Sequence, residues 1–290
     1  MLKFEHNKRF STYLMTAFVV LVSVSVVIIL GTLYRYFGKK VEAEFYEKLR
    51  AQKGQVEIIL NNRMAGIQSA LNELRSDNII RVTVMLDDTS KLEDRITQFY
   101  PPTNGVYHFV KKVGERQILP EKYPGLTNEI VAFAMREYPH GKIVQDQGKS
   151  RLLWIFSAPV MHETGRMGTA YALYDMIQDP KLIEAIQQAG GISLMAIHPD
   201  QAFNLISQRS FVMDPQIREK IAGHSGFYAY GQNLLLSSIS GFDHLYFQSS
   251  LESLIQEKHR VTVWMGLFAI VVLAVSTLMA VFLARKMVAP

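Results

Sequence analysis

Two uncharged apolar runs, residues 10–34 and 261–284, constrain this chain more than anything else in it. Each exceeds the roughly 20 apolar residues that a helix needs to cross a bilayer, so two membrane spans are expected, with whatever lies between them folding as a separate body. Lys3, Lys8 and Arg9 precede the first run, and Arg285 and Lys286 follow the second. Basic flanks stay on the cytoplasmic side, which places residues 1–9 and 285–290 inside and residues 35–260 outside. The stretch Gly31-Thr32-Leu33-Tyr34-Arg35 offers no A-x-A cleavage site, so the first run reads as an uncleaved signal anchor.

The formal charge of +5 and the pI near 9.2 would ordinarily raise the question of nucleic acid. Setting aside the five basic residues at the cytoplasmic flanks, and Glu5, leaves the outer segment nearly neutral. The basic excess is therefore a topology signal, and no nucleic-acid partner is expected. The absence of cysteine excludes disulfides and thiolate metal sites.

Beyond the first run the larger apolar residues fall mostly three or four apart, at Val41, Phe45, Leu49, Val56, Ile59, Leu60, Met64, Ile67, Leu71 and Leu74, with polar residues between them. That spacing predicts an amphipathic helix over residues 38–75, about 55 Å long at 1.5 Å per residue. Gly54 and Gly66 each weaken such a helix by up to about 1 kcal/mol, so it depends on what packs along it. No clean a/d heptad persists along it.

The period then changes. Ser76-Asp77-Asn78 offers capping residues ahead of a short apolar segment at 79–86, and residues 89–100 have helical spacing at Leu92, Ile96 and Phe99 before Pro101-Pro102 stops it. Strands are expected at 105–110, 116–119, 142–147, 151–161 and 167–174, with a helix over 128–138 between them. A smaller version of the same plan follows: a helix from Asp179-Pro180 to Gln188, the break Gly190-Gly191, strands at 192–197 and 202–208, a helix over 214–222, strands at 226–230, 234–239 and 245–248, and helix from 249 into the second apolar run. Helices alternating with short strands predict an α+β fold with antiparallel sheets.

This order, with the stretch Gly226-Phe-Tyr-Ala-Tyr-Gly-Gln-Asn-Leu-Leu-Leu-Ser-Ser-Ile-Ser-Gly-Phe-Asp243, resembles the double Cache (tandem PAS-like) sensor domains of bacterial transmembrane receptors. The resemblance covers about residues 38–258. It implies a stalk helix at 35–75, a membrane-distal module at 76–178 and a membrane-proximal module at 179–260, set between transmembrane helices at 10–34 and 261–284. Residues 285–290, Arg285-Lys286-Met287-Val288-Ala289-Pro290, resemble the opening of a HAMP linker. The resemblance further implies an inner-membrane receptor with a periplasmic sensor. Its output, beyond Pro290, would be a histidine kinase; a chemoreceptor and a diguanylate cyclase are the alternatives. A protein of another class, docking a periplasmic partner without binding any small molecule, fits the same two-span layout.

No catalytic motif is found in the sequence. The eight histidines show no paired ligand spacing, so no metal is expected. Gly223-His224-Ser225-Gly226-Phe227 has Phe where a nucleophile elbow needs its last Gly. No cofactor is expected. The candidate ligand residues are Tyr107, Phe109, Trp154, Phe156, Tyr171 and Tyr174 on the distal strands, with Arg151 and Asp175 at strand ends. Aromatic walls with a few polar groups suit a small-molecule pocket, and they equally suit an ordinary sheet core. Alternation puts Trp154 and Phe156 on one face and Arg151 and Leu153 on the other. Amino-acid-binding members of the family carry a Tyr, Arg, Trp and Tyr cluster ahead of an Asp. Asp175 resembles that Asp, whereas Arg151 and Trp154 are spaced differently.

A homodimer is expected as well. Ser23, Ser25 and Gly31 in the first run, and Gly266, Ala269, Ser276 and Ala280 in the second, permit close helix approach. Phe45, Leu49, Val56 and Leu60 exceed what one small module should cover, which assigns part of that stripe to a second chain.

Overall fold

The computed structural model describes residues 2–114, 127, 131–132, 142–146, 149–163, 165–189, 193–198, 201–207, 209–211, 221, 226–230, 233–242 and 245–288. The expected strand at 116–119, the break Gly190-Gly191 and the final Ala289-Pro290 lie outside them. So does most of the expected helices at 128–138 and 214–222; Val131, Ala132 and Ile221 are described and are helical.

Among the described residues the chain is α+β, with a long N-terminal helix and two antiparallel sheets. Helix α1 (Leu2–Ser76) is followed by α2 (Asn78–Leu86) and α3 (Thr89–Phe99). Strands β1 (Val106–Lys112), β2 (Lys142–Asp146), β3 (Lys149–His162) and β4 (Gly165–Asp175) come next, and then a 3-10 turn (Met176–Gln178) and α4 (Pro180–Gln188). Strands β5 (Ser193–His198), β6 (Gln201–Asn204), β7 (Arg209–Phe211), β8 (Tyr228–Tyr230), β9 (Leu234–Ser238) and β10 (Leu245–Ser250) precede the last helix, α5 (Glu252–Val288). The first sheet has the order β1-β4-β3-β2, and the second β7-β6-β5-β10-β9-β8.

The chain divides into two compact units. One comprises Met1–Leu49 and Leu251–Pro290. It contains the apolar parts of α1 and α5, which among the described residues are the two helices long and apolar enough to cross a membrane. Their apolar side chains are exposed, Val27, Ile28, Leu278 and Phe282 each by more than half, as lipid-facing residues are. Tyr34, Tyr36 and Trp264 stand at the ends of the apolar runs, where amphipathic rings favour the bilayer interface. Lys258 Nζ donates to Glu42 Oε2 at 3.0 Å within this unit.

The other unit, Arg50–Ser250, holds both sheets. Val56, Leu60, Ile67, Leu71 and Leu74 of α1 are buried, the stripe expected from their spacing. Of Phe45, Leu49, Val56 and Leu60, expected in part to meet a second chain, Leu49, Val56 and Leu60 are buried, and Phe45 is half-buried. Helix α1 is pinned to the second sheet by polar contacts: Lys53 Nζ donates to Ser237 Oγ at 3.1 Å, and Glu57 Oε1 accepts the Ser240 amide at 2.9 Å.

Local chemistry sets the element ends. Asp77 caps α2, accepting the amides of Ile79 and Ile80, and is itself clamped by Arg95 Nη2 at 2.9 Å. Strand β6 stops at Asn204, well short of the expected 208, because the Asn204 Oδ1 accepts the amides of Ile206 and Ser207 and turns the chain. The returning segment supplies β7, an edge strand that alternation alone did not reveal.

Candidate functional site

The first sheet sorts the candidate residues by pairing. Directly opposed residues on antiparallel strands share a face, and successive residues alternate between faces. Tyr107 opposes Leu173, Phe109 opposes Tyr171, and Leu153 opposes Asp175. Tyr107, Phe109, Arg151, Tyr171 and Asp175 therefore lie on one face. There Tyr107 and Phe109 pack with Leu153, Ile155, Leu173 and Val131, and the Phe109 and Tyr171 rings stack at 5.1 Å.

Trp154 opposes Tyr174, and Phe156 opposes Ala172, so these three aromatic candidates occupy the other face. Trp154 meets Phe242 edge-on at 6.4 Å, and Phe156 is half-buried. Tyr174 is fully buried beneath α1: its hydroxyl donates to Asp179 Oδ2 at 2.9 Å, and the Arg63 guanidinium lies 5.3 Å above its ring. The eight candidates thus do not form one pocket. Five share a face, and three belong to the packing behind it.

On the first face Asp175 and Arg151 are both buried, with Arg151 Nη1 3.6 Å from Asp175 Oδ2. That is an ion pair whose separation exceeds hydrogen-bond reach. Burial raises the Asp175 carboxyl to about 6, against the lowering effect of Arg151 and of the Ile177, Gln178 and Leu152 amides. Tyr107, one strand over, donates its hydroxyl to Gln178 Oε1 at 2.5 Å, and burial pushes its own ionisation up. The face combines a fixed cation, a carboxylate held near its titration point and a stacked aromatic pair. It suits recognition of a small molecule carrying charge of both signs.

Three residues that matter here were not among the site candidates, although Asp179 was read as the start of the helix that ends at Gln188. Arg63 Nε lies 2.6 Å from Asp179 Oδ2, and Arg63 Nη2 donates to the Asn104 carbonyl at 2.9 Å. Asp179, 1% exposed, also accepts the Leu182 amide and so caps α4. The third is Gly105, with φ +74, whose carbonyl accepts the Asp175 amide at 2.7 Å. A Cβ there would overlap the Asp175 carbonyl oxygen. Replacing Gly105 with Ala combines a left-handed backbone penalty with this clash, and is expected to destabilise the fold by about 2–3 kcal/mol. Chemical denaturation of the two proteins checks it, and an unchanged midpoint would mean that the loop shifts freely. The signal for Arg63 was present: it sits between Leu60 and Ile67 on the buried stripe, where an unpaired guanidinium is costly.

No family model matches the chain, and no curated protein matches it by sequence. Solved structures similar to it are extracytoplasmic sensor domains. The extracellular domain of a protein named as a histidine kinase, vpHK1S-Z8, aligns with a TM-score of 0.50 at 12% identity, covering 74% of this chain and 98% of that one. The periplasmic domain of Vibrio cholerae LuxQ aligns at 0.47 and 13% identity, covering 69% and 95%. The ligand-binding domain of the Pseudomonas fluorescens chemoreceptor CtaA, in complex with L-isoleucine, aligns at 0.45 and 10% identity, covering 78% and 99%. At these identities the likeness concerns the fold.

Proposed function

We propose that this chain is the sensory part of a two-span bacterial receptor of the double Cache class, which binds a small zwitterion on the first sheet. The observation that carries this reading is the buried pair Arg151 and Asp175 beside Tyr107. The guanidinium takes the ligand's carboxylate and Asp175 takes its ammonium, so binding exchanges the 3.6 Å contact between the two for one pairing of each with the ligand. Phe109 and Tyr171 form the apolar floor for its side chain. Trp154, Phe156 and Tyr174 support the sheet from behind.

The sensor domain faces the periplasm, the first and second modules correspond to the two sheets, and the apolar parts of α1 and α5 anchor it in the inner membrane. Residues 285–290 start a HAMP linker toward a histidine kinase output. Pairing of two chains runs along the exposed face of α1, where Ala51, Gln55, Ile58, Asn62, Ala65, Ser69 and Asn72 recur at spacings of four and three.

Thermal unfolding of the purified full chain against a panel of the proteinogenic amino acids and their decarboxylated amines tests the ligand. A binder at a hundredfold excess over Kd is expected to stabilise the protein by about 2.7 kcal/mol. Asp175→Asn should abolish that gain, while Phe156→Leu, on the other face, should retain it. No response to any amino acid or amine, or a gain undiminished in Asp175→Asn, would overturn the assignment.

A further inference from the structure

The two ends of the turn at 175–179 touch opposite sides of the first sheet. Asp175 begins it on the face with Arg151 and Tyr107, and Asp179 ends it on the face with Tyr174 and Arg63. Three residues separate them, and the turn is cross-braced. The Ile177 amide donates to Asp175 Oδ1 at 3.2 Å, the Asp179 amide donates to the Met176 carbonyl, and Gln178 takes the Tyr107 hydroxyl. A second path joins the same end points. The Asp175 amide donates to the Gly105 carbonyl, and the neighbouring Asn104 carbonyl accepts from Arg63. Arg63, Asp179, the turn, Asp175, Gly105 and Asn104 therefore close a ring that encloses the edge of the sheet.

We propose that this ring is a mechanical coupler that reports displacement of Asp175 on the Arg151 face to helix α1 at Arg63. The inference rests on the ligand reading only in naming what displaces Asp175; the coupling itself is a property of the chain. The braces hold the turn by hydrogen bonds at both ends, and the two carboxylates they join, Asp175 and Asp179, are buried, so the turn moves as one piece. Asp175 cannot shift relative to Arg151 without moving Asp179, because only three residues lie between them and all are held. Asp179 cannot move without carrying or releasing Arg63, which it contacts at 2.6 Å. A packed ring with two arrangements converts a small shift at one end into a discrete change at the other. Arg63 is thus a positioning residue that touches no ligand.

Amide hydrogen exchange on the detergent-solubilised full chain tests this without any ligand. Arg151→Met removes the charge that holds Asp175, and Arg151→Gln, equally uncharged, serves in its place if the first variant does not fold. Exchange is expected to quicken about fivefold or more in peptides covering the turn, the first residues of α4 and the segment of α1 around Arg63. Ile155→Val, on the same face but away from the ring, controls for general loosening and should leave the α1 peptide unchanged. In an Arg63→Lys background the response of α1 to Arg151→Met should shrink while that of the turn persists. A response confined to the turn, or one equalled by Ile155→Val, overturns the coupler. The two proposals fail separately: a lost amino-acid response with intact propagation removes the ligand reading alone, and intact binding with no propagation removes the coupler alone.

Discussion

Replacing Arg63 with Met is expected to destabilise the outer unit by about 3 kcal/mol, because it leaves a buried carboxylate without its cation. Asp179 is 1% exposed and Arg63 is 28% exposed at its side chain, so the two partners are not equivalent. With Arg63 gone, Asp179 keeps the Tyr174 hydroxyl and the Leu182 amide but has no compensating charge and no route to water. With Asp179→Asn the guanidinium keeps the Asn104 carbonyl and its partial access to solvent, and the amide oxygen still caps α4 through the Leu182 amide, while its NH2 takes the other position and donates to the Tyr174 hydroxyl. That change should cost about 1–2 kcal/mol, and the double variant less than the sum of the two, since the pair is then removed together. For a unit of this size the Arg63 effect corresponds to a fall in Tm of about 6–12 °C. Thermal unfolding followed by the emission of Trp154, which is buried within the unit, reads it directly. Equal losses for Arg63→Met and Asp179→Asn would mean that burial of Asp179 does not set the energetics here.

Much of the fold was legible because one physical signal dominates each element. The buried face of α1 follows from residues three or four apart, and Leu60, Ile67, Leu71 and Leu74 are buried as that spacing requires. The strands of the first sheet follow from β-forming runs between Gly and Pro breaks, and their observed ends differ from the expected ones by one or two residues. Strand β7 was missed, since the turn that creates it depends on one asparagine side chain rather than on any pattern. The site was legible only in part. Alternation separated Trp154 and Phe156 from Arg151, but it could not place Tyr174 or Asp175, because the pairing that fixes their faces is a tertiary fact. Arg63 lies over 100 residues from Asp179 in the chain, and no local rule connects them. The stripe Phe45, Leu49, Val56 and Leu60, longer than one small module, was read as surplus in part; Leu49, Val56 and Leu60 are covered, which leaves only Phe45 partly open.

The acid response of the protein should be governed by two buried groups that oppose each other. His108 faces Tyr100 on the side of the sheet that carries Tyr174, 5% exposed, and burial lowers it from 6.5 to about 4, with the Tyr100 backbone working in the other direction. Its pKa is depressed in the fold, so the unfolded chain takes the proton first. Stability from this residue is complete above pH 6.5 and is lost as the pH falls toward 4, by about 3 kcal/mol at full extent. Asp175 has the opposite sign, its carboxyl being raised by burial from 3.8 to about 6. The folded chain takes that proton first, so stability rises as the pH falls through 6 toward 3.8, again by about 3 kcal/mol, and is lost as the pH rises through 6. Between pH 6 and 4 the two contributions nearly cancel, and the protein is expected to show a shallow dependence that conceals both. Single variants should expose them. His108→Phe keeps a ring beside Tyr100 and removes the loss, so its stability relative to the parent should climb as the pH falls from 7 to 4.5. Asp175→Asn removes the gain, so its relative stability should drop over the same interval. Urea denaturation at a series of pH values measures the slopes, which do not depend on the fixed packing cost of either substitution. The decisive result is that the two curves diverge in opposite directions from the parent, by about 2–3 kcal/mol each at pH 4.5. Three parallel curves would show that neither group is held away from its ordinary protonation range by the fold.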